Sequence, residues 1–152
     1  MIELIRKICC SICGQKAELS LPPPVTRREY SYEELYQLLK RKFPEAVIYL
    51  SDRTYKACAL DDIAIFLEQD ETNKMGYVPE DRDCDDFAYR LMGQFSIPGW
   101  SALTFGIVWT DKHALNCFVD NMGLFHFIEP QTDELQTELK EWQGTRVELI
   151  MI

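Results

Sequence analysis

Up to Phe95 the apolar positions recur every three or four residues; from Ala102 onward they crowd into short runs of aromatic and branched side chains. Ser31-Tyr-Glu-Glu34 is a capping-box pattern ahead of Leu35, Leu38 and Leu39, and it predicts a helix that Pro44 stops. VIYL at 47–50 predicts a short strand. Asp61 and Asp62 precede Ile63, Ile65, Phe66 and Leu67, which predicts a second helix with acids at its positive end. Cys84, Phe87, Ala88, Leu91, Met92 and Phe95 follow at intervals of three and four, so a third amphipathic helix is expected after Asp83, with the cysteine on its inward stripe near the N-terminus.

The later runs ALTFGIVW, ALNCFVD and LFHFIE are separated by Thr110-Asp-Lys112 and Asp120-Asn-Met-Gly123 and predict consecutive antiparallel strands. DELQTELKEWQG predicts a final helix closing at Gly144, and VELIMI a last strand. Helices first and a sheet afterwards is the α+β pattern, N-terminal helices packed on an antiparallel sheet. Pro22, Pro23 and Pro24 force an extended connector. Residues 1–27 are therefore expected to form an N-terminal segment with its connector, and residues 28–152 one domain. In residues 1–14, Ile2, Ile5, Ile8, Cys9 and Ile12 stand at helical spacing. Three roles stay open there: packing on the domain, contact with a partner or a membrane surface, and a metal knuckle using Cys9, Cys10 and Cys13. A second ligand pair for that knuckle is missing from the sequence.

Composition narrows the functions. The chain has 152 residues, 47% of them hydrophobic and 27% charged, which suits one globular domain. A formal net charge of -9 repels phosphate backbones, so nucleic acid is not an expected partner. The six cysteines follow no secretory signal pattern, and no apolar run approaches membrane-spanning length; a reducing, cytoplasmic setting without a membrane span is expected.

The chemistry centres on Cys84, which PEDRDCDDFA sets among acids that disfavour a thiolate. As a helical residue on an apolar stripe it reads as a small core side chain. As a residue of the first turn it meets unsatisfied backbone N–H groups that favour an anion, and it then needs a base. The chain holds two histidines, His113 and His126. His113 opens one strand and Glu129 closes the next. If Val119 faces Gly123 they are directly opposed, and if Asp120 faces Leu124 they are diagonal on one face; a strict two-residue turn would separate them. His126 lies on the other face from Glu129. Cys84, His113 and Glu129 would then be nucleophile, base and orienting carboxylate. Gln131 and Trp100 are candidates for an oxyanion or substrate contact, with Trp109 beside them.

Asp83-Cys84-Asp85-Asp86-Phe87-Ala88, His113-Ala114 and Phe127-Ile128-Glu129-Pro130 together resemble the transglutaminase-like superfamily of papain-like cysteine enzymes, most nearly the bacterial transglutaminase-like cysteine proteinases. The resemblance covers residues 79–132. It implies a papain-like, transglutaminase-like fold and hydrolysis or acyl transfer at an amide bond of a protein or peptide through an acyl-thioester on Cys84. It requires no cofactor. It makes Asp83 and Asp85 candidate calcium ligands, since some members bind calcium beside the nucleophile, whereas acids in a first helical turn also serve the dipole alone. The alternative is a non-enzymatic binding or inhibitory module of the same fold with an idle or buried Cys84.

Overall fold

The computed structural model describes residues 21–152, which form eight strands and three α-helices. The segment at 1–14 and its cysteines lie outside the described residues. β1 (Arg28–Ser31) runs into α1 (Tyr32–Lys42), whose Ser31 cap is the expected one: the Glu34 N–H donates to Ser31 Oγ at 3.3 Å and the Ser31 N–H to Glu34 Oε2 at 2.8 Å. Leu35 and Leu39, one turn apart, are its buried pair. After β2 (Val47–Tyr49), β3 (Thr54–Ala57) pairs antiparallel with β1. α2 (Leu60–Gln69) buries Ile63, Phe66 and Leu67, and α3 (Cys84–Gln94) buries Phe87, Ala88 and Leu91.

β4 (Phe105–Thr110), β5 (Ala114–Val119), β6 (Phe125–Glu129), β7 (Glu134–Gln136) and β8 (Val147–Met151) join β2 in one six-stranded sheet, ordered β2-β8-β4-β5-β6-β7. One face packs on α1 and the β1–β3 pair through Leu115, Cys117, Phe127 and Tyr55. The other packs on α2 and α3 through Phe105, Phe118, Ile128 and Leu91. Burial on both faces explains why β5 and β6 are apolar almost without alternation. Among the described residues no helix is long and apolar enough to cross a membrane.

Three expectations are corrected by this topology. Strands β1, β2 and β3 are interspersed with the helices, so helices do not precede the sheet, and the papain-like layout of N-terminal helices on an antiparallel sheet does not describe this chain. The sheet is mixed, because β2 pairs parallel with β8, Val47 beside Leu149. The final helix is absent: residues 134–136 form β7 and Glu141–Gln143 a 3₁₀ turn. A helix would have set Leu135 and Leu139 on one stripe. They instead pack on opposite sides of the sheet, Leu135 with the α2–α3 layer and Leu139 with the α1 layer.

Candidate functional site: a cleft between a thiol and a buried imidazole–carboxylate pair

The β5–β6 register decides whether His113 meets Glu129. Asp120 Oδ1 accepts the Met122 and Leu124 N–H groups at 2.8 and 2.9 Å, and Gly123 takes φ 84°. The Asp120 N–H reaches Leu124 O at 3.0 Å, and Asn116 then faces Ile128. His113 and Glu129 are thus diagonal neighbours on one face. Their side chains meet, Nε2 to Oε2 at 2.9 Å, and both are nearly sealed from solvent.

Glu129 is held from three directions. The Gln131 N–H donates to Oε1 at 3.3 Å and the Gln143 amide to Oε2 at 3.0 Å. Gln143 is fully buried. Its orientation follows from the Lys140 N–H, 2.9 Å from Oε1, because a backbone N–H only donates and must meet the amide oxygen. Gln143 Nε2 therefore donates, leaving Glu129 an acceptor-only carboxylate, so His113 Nε2 carries the proton between them. In the neutral ring Nδ1 keeps its lone pair.

Thr110 fixes the backbone around this pair. Its hydroxyl accepts the His113 N–H at 2.9 Å and donates to Gln143 O. Asp111 Oδ1 accepts the Thr145 and Arg146 N–H groups at 2.8 and 3.0 Å, tying the β4–β5 turn to the start of β8. Those N–H groups pull the Asp111 carboxyl down to about 2.

His113 lines an open cleft of about 300 Å³ with Cys84, Asp83, Asp85, Trp109 and Asp111. Cys84 opens α3 and is half-buried, packed beside Ala88, Ile107 and Ala114. Cys58 and Cys117 are buried, and burial pushes the Cys58 thiol up to about 12 and Cys117 higher still. The Trp142 ring lies 5.0 Å from the His113 ring, inclined at 60°. Donor atoms of Asp83, Cys84 and Asp85 lie within 4.8 Å of one another. A hydrogen bond with Asp83, and then burial, raise the Asp85 pKa. The thiol among these donors does not suit a hard cation such as calcium, and the cleft's chemistry is derived without one.

The other expected residues fall elsewhere. Gln131 reaches Glu129 through its backbone N–H. Trp100 is a core residue, its ring 4.7 Å from Phe66 and 5.8 Å from Phe95, and it does not line the cleft. His126 pairs with Asp120 at 2.9 Å, buried beside Phe118. Gln143 and Trp142 escaped the sequence reading, both lying in the stretch read as a helix.

No family model and no curated protein matches the chain. Among solved structures, a PSL1a–E64 complex is similar over 82% of this chain and 50% of its own, with TM-score 0.70 and 22% identity. A second, Polyporus squamosus lectin bound to the human-type influenza-binding epitope Neu5Aca2-6Galb1-4GlcNAc, covers 82% of this chain and 49% of its own, with TM-score 0.67 and 21% identity. The chain shares its fold with part of Polyporus squamosus lectin. It spans about half the length of the structures it matches.

The resemblance to transglutaminase-like cysteine proteinases is corrected by these findings: no family model supports it, and the matching structures carry the names of PSL1a and a lectin. Amide hydrolysis or acyl transfer on Cys84, and with it the name of cysteine protease for this fold, is corrected on the same ground.

Proposed function

We propose that the chain is a ligand-binding module, with the cleft at the start of α3 as its site and Cys84, His113 and Glu129 as the side chains that present a thiol and an imidazole to the ligand. The observation that carries this is the His113–Glu129 pair, buried at 2.9 Å yet bordering an open cleft that it shares with the one described thiol that is not buried. Buried polar pairs of this kind contribute little net stability. Three donors converge on Glu129, and they set the imidazole's free lone pair at Nδ1 for use by something outside the sheet. Trp109 supplies an apolar wall against which a ligand can stack, and the exposed Trp142 ring lies beside His113. A reducing cytosol would keep the thiol free.

The PSL1a structure is a complex with E64 and the lectin structure holds a sialylated trisaccharide, so both compounds serve as probes. E64 is expected to raise the melting temperature and to remain on the protein in native mass spectra, and Cys84→Ser and His113→Ala are each expected to abolish its effect. The trisaccharide is expected to leave the cleft unperturbed. Iodoacetamide should modify Cys84 while Cys58 and Cys117 stay unmodified in the folded protein, and His113→Ala should slow the reaction. If Cys84 reacts no faster than a free cysteine, and E64 has no effect on the wild type, the assignment of the cleft fails.

A further inference from the structure

The loop after β6 meets the 3₁₀ turn Thr72–Lys74 that follows α2. Asp70, 2% exposed, accepts the Thr72 N–H on Oδ2 at 2.7 Å. The Asn73 amide donates to Asp133 Oδ2. Three further oxygens of this group are not used: Thr72 Oγ1, Asn73 Oδ1 and Asp133 Oδ1 are all buried with no hydrogen-bond partner. Thr72 is fully buried, so solvent does not serve its hydroxyl. Among the described residues the Lys and Arg ion pairs go to other acids, Lys74 to Glu71, Lys140 to Glu134 and Arg146 to Glu148.

Two carboxylates meet at one junction without a direct ion pair among the described residues, and three buried oxygens there, one of them on Asp133, have no hydrogen-bond partner. A bound water would satisfy some of the oxygens and leave the charge. A metal ion would do both. The donors are oxygen throughout, with no imidazole or thiol, which selects a hard cation over zinc or copper. We propose that Asp70, Thr72, Asn73 and Asp133 hold a calcium ion, with waters completing its shell.

The ion would brace the carboxylate of the cleft. The Asp133 and Thr132 N–H groups donate to Glu129 O at 2.8 and 3.2 Å, and the intervening Gln131 N–H holds Glu129 Oε1. Fixing Asp133 fixes the loop that orients Glu129. The calcium site stands independently of what the cleft binds.

Calcium chloride titrated into the full chain tests it, read by calorimetry and by melting temperature. A single saturable ion is expected, raising the melting temperature, with magnesium weaker because it gives up its waters reluctantly. Asp133→Asn keeps the backbone, since asparagine tolerates the φ of 59° found there. Loss of a second-sphere group already weakens metal binding about 10- to 100-fold, so this loss of a ligand should weaken calcium at least about tenfold. It should also raise the melting temperature in chelator by removing a partly buried charge that lies near the Asp70 carboxylate. The double change Asp83→Asn, Asp85→Asn should leave calcium affinity as it is. Absence of saturable binding, or binding lost in the Asp83/Asp85 double variant and kept in Asp133→Asn, would overturn the proposal.

Discussion

Gln143 has the most consequence of the side chains that no motif marked. It is fully buried, anchored by the Lys140 N–H and donating to Glu129 Oε2, so the tautomer of His113 is decided by a backbone group 27 positions away in sequence. Gln143→Leu removes a donor to a charged acceptor, and such a bond contributes about 1.5–3 kcal/mol. Urea unfolding should show a loss of that order. Gln143→Glu sets a second acid against Glu129, and two carboxylates beside one imidazole favour its charged form. The ¹⁵N shifts of the two His113 ring nitrogens at neutral pH should differ from the wild-type values. Equal values in the two proteins would remove Gln143 from control of the pair.

Elements differed in how far the sequence disclosed them. The capping box of α1, the inward stripe of α3 and the aromatic runs of β4, β5 and β6 are local signals, and each element stands where its pattern lies. His113 and Glu129 were legible as a pair because strand parity is a strict period of two, and the Asp120–Gly123 loop sets the diagonal register. β2 has three residues and finds its parallel partner about 100 positions later, a distance at which periodicity carries nothing. Residues 134–143 mimic a helix through spacing alone, and the misreading took Gln143 and Trp142 with it. Asp70 and Asp133 belong to no common motif, so only the fold brings them together. Gly106 is an element-scale requirement of another kind: a Cβ there would lie 2.0 Å from Met151 O on the paired strand β8. Gly106→Ala must push β4 from β8 and should destabilise the domain by about 3 kcal/mol or more in chemical denaturation. Ser31→Ala, which removes only the α1 cap, should lose about 1 kcal/mol in the same measurement.

At the scale of the whole molecule, a sheet covered on both faces leaves its strand ends as the places where chemistry can reach solvent. The cleft lies at one such end, where the β4–β5 turn, the first residue of α3 and the 3₁₀ turn before β8 converge. Asp111 ties the β4–β5 turn to the residues that lead into β8, and its acid behaviour can be separated from that of the chain. With 25 acidic and 16 basic side chains, mild acid relieves the general self-repulsion and favours the folded state. Asp111 acts in the opposite sense. Its folded pKa, about 2, lies below the unfolded value of about 3.9, so its contribution is complete above the unfolded pKa and disappears as pH falls through the folded one. The difference in unfolding midpoint between wild type and Asp111→Asn should be constant above about pH 5, shrink below about pH 4 and vanish near pH 2. The same loss should loosen the β4–β5 turn and slow Cys84 alkylation over that interval relative to a free thiol control. A midpoint difference that does not change from neutral pH to pH 2 would show that the Thr145 and Arg146 N–H groups do not hold this carboxylate in solution.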